Sequence, residues 1–156
     1  MKGLLKTLVI SFVAGVTSSI IAVSAFAGIA FGDYRSFYCN GSYYKSLNSI
    51  GTFSKYILGC TNVYSQDEIE KFPAGDVGIQ CFVYSVSYAN PVLSSKLEYN
   101  SSAQSLFSVY TPEDYNQTGT FYTQGEVWVY NSGSYKKFTT IKSRVQSRPE
   151  ATAEKQ

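Results

Sequence analysis

The side chains able to do chemistry in this 156-residue chain are few, and an absence defines them: there is no histidine. That excludes Ser-His-Asp and Cys-His nucleophilic catalysis and histidine-ligated metal centres, because no remaining side chain titrates near neutral pH without a large shift. Carboxylate chemistry is what is left. Glu98 and Glu126 are the acids expected within strands, and facing each other they could form the acid and nucleophile of a glycosidase. Two exposed strand glutamates are the plainer expectation, so no enzyme activity and no cofactor are expected.

Cys39, Cys60 and Cys81 stand at equal intervals, and at most one bridge can form among them within a monomer. Cys60 and Cys81 both fall in expected strands and are the first-choice pair, closing a loop that would stabilise by ~3 kcal/mol if unstrained. The odd cysteine then stays buried as a small apolar residue or pairs with another chain. The spacing does not resemble a zinc site. Asp114 to Gly119 imitates the opening of a calcium loop, but Gly125 stands where the bidentate glutamate belongs and Glu126 comes one residue late, so a polar turn is expected instead. Asn40, Asn100 and Asn116 open Asn-x-Ser/Thr triplets that would accept glycans in a eukaryotic secretory route, although such triplets also arise by chance in a chain rich in Ser and Asn.

The elements that must position these groups are strands. With 14 Tyr, 10 Phe and many Ser, Thr and Val, and with Gly, Asn and Ser punctuating the chain, the composition favours β structure, and long helical patterns are absent. Residues 28–54 read as a loose Tyr/Ser/Gly-rich lead-in with one short strand at most. Residues 55–145 read as the β domain and 146–156 as a disordered polar tail. Within the domain, strands are expected over 55–64, 76–87, 92–99 and 106–110. The clearest hairpin runs from Gly119 to Tyr130, turns at 131–134, and returns over 135–145. Ser65 to Glu68 and Thr111-Pro112 each suggest a single helical turn. Six or seven short strands with frequent turns point to an antiparallel β-sandwich or partly open barrel. The run 81–85 also echoes 127–131, each opening a hairpin, which a duplication or shared residue preferences would produce.

Alternation along those two runs sorts side chains by face. Ile79, Cys81, Val83, Val127 and Val129 fall on one side, and Phe82, Tyr84, Trp128 and Tyr130 on the other. If open, the aromatic side is a flat platform for stacking sugar rings or an apolar patch of a partner. If a second layer covers it, it is core.

Compartment is read from the first 27 residues. Lys2 and Lys6 precede an uncharged apolar run that ends in Ala25-Phe26-Ala27, the layout of a cleavable signal peptide. Thr7 to Phe31 would be long enough to cross a membrane if uncleaved, but the alanines before Gly28 suit a peptidase and Gly15, Thr17, Ser18 and Ser19 make a poor permanent span. Cys39 lies too far downstream for lipid attachment. The chain carries 13 Lys+Arg against 11 Asp+Glu, and Lys2 and Lys6 leave with the leader, so the mature protein is formally neutral. Nucleic acid is therefore not an expected partner, and a membrane is expected only through an uncleaved leader. The one basic cluster, Lys136, Lys137, Lys142, Arg144 and Arg148, reads as a solvated strand edge and frayed tail that could also touch an anionic cell wall or membrane.

The stretch Phe72-Pro73-Ala74-Gly75-Asp76-Val77-Gly78-Ile79-Gln80, followed by a Tyr/Asn/Ser hairpin, Tyr122 to Gly125, Val129 to Tyr135, a Phe/Thr-rich return strand and Ser143, resembles a loose group of small, uncharacterised secreted proteins of Gram-positive bacteria. The resemblance covers roughly residues 72–147 and rests on turns and aromatics. It implies an exported bacterial protein with no established activity. The cysteines depart from that pattern, as does Asp76, where an aromatic would be expected. The expectation is thus a secreted or cell-surface, non-enzymatic protein that binds glycan or a protein surface through Trp128, Tyr130, Phe82 and Tyr84. The alternatives are an antimicrobial or toxin-like protein acting on cell envelopes, and a self-assembling matrix component.

Overall fold

The structure, a computed structural model, describes residues 28–52, 56–114 and 116–148; the expected leader and the last eight residues of the expected tail lie outside them. The described chain is all-β, with eleven strands in two antiparallel sheets and no closed barrel. The first sheet has β3 (Ser42–Thr52) and β4 (Ile57–Ser65) at its centre. On one side lie β1 (Ile29–Phe31) and β2 (Arg35–Cys39), and on the other β8 (Leu106–Tyr110). The second is built on β5 (Val77–Ser85) and β9 (Gly119–Asn131). It is flanked by β6 (Pro91–Ser94) and β7 (Glu98–Tyr99) on the β5 side, and by β10 (Ser134–Thr139) and β11 (Gln146–Arg148) on the β9 side.

The two runs that echo one another in sequence are this central pair: Val77 sits opposite Val129 and Tyr84 opposite Tyr122. Their alternation is as clean in burial as in residue type, with Ile79, Cys81, Val83, Val127 and Val129 all at 0% exposure. The expected hairpin from β9 into β10 forms. Its tight turn places Ser132 and Gly133 at φ 50° and 97°, the left-handed pair whose twist matches the strands. The return strand ends at Thr139, earlier than expected.

Two helical turns expected from capping patterns do not form. Asp67, rather than Ser65, takes the cap, accepting hydrogen bonds from the Ile69 and Glu70 amides at 3.0 and 2.9 Å in a non-helical turn. Thr111 spends its hydroxyl on the Gly59 amide at 3.0 Å, which ties the chain after β8 to β4.

The largest departure is the lead-in. Residues 28–52 hold three strands, and β3 is eleven residues long. Its periodicity is hidden because Ser46, Asn48, Ser49 and Thr52 are buried polar residues, whose partners come from elsewhere in the chain. Asn48 donates to the Thr140 hydroxyl and the Ile141 carbonyl, and Thr61 donates to Asn48 Oδ1 at 2.7 Å. The Thr140 hydroxyl in turn accepts from the Gly125 amide at 2.8 Å. This polar node crosses from one sheet to the other. It separates an apolar cluster around Val63, Ile79 and Val127 from a smaller one of Ile50, Ile57, Val83 and Phe121. The start of the expected tail is also ordered, since Gln146 to Arg148 pair with Phe121 to Gly119.

The Cys60–Cys81 bridge is not formed: all three cysteines are buried free thiols. Strand parity gives the reason. A Cβ on Gly59 would meet Val83, Thr61 lies against Gly125, and Val63 packs with Cys81, so the odd-numbered residues of β4 face the second sheet. Cys60, whose thiol lies 3.5 Å from Asn62 Oδ1, points the other way, and the thickness of β4 separates it from Cys81.

Candidate functional site

The outer face of the second sheet carries the four aromatic residues singled out from sequence, and the structure sorts them into two groups. Phe82 and Tyr84 sit two apart on β5, with ring centroids at 6.3 Å. Tyr84 stacks on Tyr122, its cross-strand partner, at 5.2 Å and 11° between planes. Trp128 and Tyr130 lie further along β9. Across the hairpin, Tyr135 meets Tyr130 at 5.6 Å edge-on and Tyr99 at 4.9 Å. Tyr99 can lie over the sheet because its partner is Gly78; a Cβ there would run into the tyrosine ring.

Between the groups runs a polar belt of Gln80, Gln124 and Glu126, all half-buried on the same face. From Trp128 to Tyr122 is six residues along one strand, roughly 20 Å. The face is therefore two aromatic patches joined by hydrogen-bonding side chains. Tyr130, Tyr135 and Tyr99 are each about two-fifths exposed (39%, 39% and 40%), so this side of the sheet meets solvent.

Lysines roof part of the face. Lys137 lies 5.5 Å from the Trp128 ring and is held by Glu126 at 2.9 Å, and Lys142 lies 5.3 Å from the Tyr122 ring. Beneath Lys137 the Trp128 indole N–H is shielded from solvent and has no hydrogen-bond acceptor among the described residues. The ion pair above it is partly solvated, with the Lys137 side chain 47% exposed, and such pairs contribute ~0–1 kcal/mol.

Tyr99, Tyr122 and Tyr135 escaped the sequence reading. Tyr122 shares the parity of Trp128 and Tyr130 on β9 and was accessible to the same counting. Tyr135 follows once the turn register is known. Tyr99 depends on the pairing of the two-residue β7 and has no local signal.

Glu98 and Glu126 do not converge. Glu98 pairs with Ile79, on the parity of the core side, whereas Glu126 pairs with Gln80 on the outer face, so the sheet lies between them. Asp114 uses an oxygen on the Asn116 amide at 2.7 Å, as in a polar turn. Among the described residues no three His, Cys, Asp or Glu side chains gather where a metal could bind. Asn100 is buried at 1% exposure. It is committed to the Val77 amide and to the Pro73 and Ser102 carbonyls, so the folded chain offers no glycan acceptor there.

Compared with protein-family models, curated proteins and solved structures, the chain matches none.

Proposed function

We propose that this chain is an exported, non-enzymatic protein that binds glycan through the outer face of its second sheet. The observation that carries the reading is the pair of aromatic patches around Trp128 and Tyr84 on a solvent-facing sheet, linked by amide and carboxylate side chains suited to sugar hydroxyls. Their separation exceeds a single sugar ring, so the expected ligand is an extended oligosaccharide or a cell-wall polymer. Export rests on the composition of residues 1–27, and a Gram-positive bacterial source on the turn and aromatic pattern of residues 72–147.

Screening purified protein on glycan and cell-wall arrays, beside a Trp128→Ala/Tyr130→Ala variant whose circular dichroism is unchanged, tests this. Binding by the wild type that the variant loses supports the platform, and no binding to any arrayed polymer removes the glycan reading for those ligands. The lysines lying over Trp128 and Tyr122 favour one second reading, an envelope-active protein that engages anionic surfaces. Leakage from anionic lipid vesicles, without array binding, would select it.

A further inference from the structure

Strand pairing fixes which side chains leave the first sheet on its outer side. Leu47, Ser49 and Gly51 of β3 lie opposite Asn62, Cys60 and Leu58 of β4, and β8 places Tyr110, Ser108 and Leu106 opposite Cys60, Asn62 and Tyr64. Ile29 and Phe31 of β1 complete this face from the other edge. Tyr56, Leu58, Ile29 and Tyr110 gather in an apolar cluster at one end, and Leu47, Tyr64, Phe31 and Leu106 in another at the opposite end. Ser49, Cys60, Asn62 and Ser108 make a polar strip between them.

This face is buried like a core. Leu47, Ser49, Leu58, Cys60, Asn62 and Tyr64 are each at most 5% exposed, and the Tyr64 hydroxyl is closed off from water with no hydrogen-bond partner among the described residues. Yet the described strands that pack most against β4 are its neighbours β3 and β8 and, on the inner side, β5 and β9. None of these lies over the outer face. The outer side of an antiparallel two-layer sandwich ordinarily meets solvent, so burial this complete requires a cover.

The chain beyond the described residues offers few candidates for it. Residues 53–55 and 115 are too short to span the six residues, roughly 20 Å, from Leu58 to Tyr64. Residues 149–156 follow β11 on the second sheet and carry Glu150, Glu154 and Lys155. Residues 1–27 join at the right place: the Gly28 carbonyl accepts from the Thr52 amide at 3.1 Å, and Ile29, next in the chain, already belongs to the cluster of Tyr56 and Leu58. Their uncharged part, residues 7–27, would reach about 30 Å as a helix. Its composition matches the face, with Leu, Ile, Val and Phe suited to the two clusters and Thr17, Ser18 and Ser19 midway suited to the polar strip.

We propose that in the uncleaved chain residues 7–27 pack over the outer face of the first sheet as a third layer. The leader then has a role besides export: while attached it keeps an apolar face out of water, and cleavage after Ala27 turns that face to solvent. This role is independent of glycan binding, which uses the outer face of the other sheet.

The cysteines supply the test, because Cys60 lies on the covered face whereas Cys39 and Cys81 lie between the sheets. Labelling of the full chain with N-ethylmaleimide, mapped by mass spectrometry, is expected to be slow at all three. An Ile20→Lys/Ile21→Lys variant of the full chain places two charges in the uncharged run, and it is expected to speed labelling of Cys60 at least about ten-fold while Cys39 and Cys81 stay slow. Chain 28–156, lacking the leader, is expected to show the same selective change. If all three cysteines react quickly in that shortened chain, its sheets have separated, and the full-chain variant alone decides. Fast Cys60 labelling in the unaltered full chain overturns the proposal, as does a variant in which none of the three thiols, or all three together, become reactive.

Discussion

At the residue scale, the contact between Gly125 and Thr61 sets how closely the two sheets approach. A Cβ at position 125 would fall far inside van der Waals contact with the Thr61 side chain, which is fully buried and already hydrogen-bonded to Asn48. Gly125→Ala is therefore expected to destabilise by about 1–3 kcal/mol, read as a lower denaturation midpoint with an unchanged slope. Gly78→Ala also meets a close neighbour, but that neighbour is the edge of the 40%-exposed Tyr99 ring, which can swing aside. A smaller loss is expected there. Equal losses at the two positions would mean that Gly125 has no special role in sheet approach.

At the scale of elements, the turn joining β9 and β10 is open to a direct test, because both of its central residues have positive φ. Gly133→Val is expected to lower stability by about 1–2 kcal/mol, since a β-branched side chain opposes that conformation. Ser132→Asn is expected to raise the melting temperature, asparagine tolerating it better than serine. Thermal unfolding followed by circular dichroism measures both. This hairpin was legible in the sequence, as were β5 and the face assignment of Phe82, Tyr84, Trp128 and Tyr130, because along β5 and β9 residue type and burial alternate together; β4 and β8 were legible from their runs of strand-forming residues alone. β3 was not legible. Its buried Asn48 looks like a loop residue until Thr140 and Ile141, over ninety positions away, supply its acceptors, and Ser46 likewise until Arg35 of β2 supplies a carbonyl.

The whole molecule has a characteristic response to pH. With no histidine, nothing among its side chains titrates near neutrality without a large shift, and stability is expected to be flat from about pH 6 to 8. The alkaline limb differs. Burial pushes the Cys81 thiol up to about 12 from an ordinary value of 9.0, and burial likewise raises Cys39, Cys60, Tyr64 and Tyr110. Below pH 9 these groups hold their protons in both states and contribute their full stability. Between about 9 and 12 the unfolded chain releases protons that the folded chain keeps, so stability falls as pH rises. Denaturation midpoints measured from pH 7 to 11 should stay level and then drop. A midpoint that rises above pH 9 would show that the buried thiols and phenols do not resist ionisation.

The opposite facing of Cys60 and Cys81 across β4 also bears on how the protein can be made. Nothing in its fold waits for an oxidant: all three cysteines are buried free thiols, Cys39 and Cys81 in one core cluster and Cys60 on the opposite face of β4. The chain is therefore expected to reach the same structure under reducing as under oxidising conditions. Material from either source should be interchangeable, with reductant guarding only the interval before folding is complete.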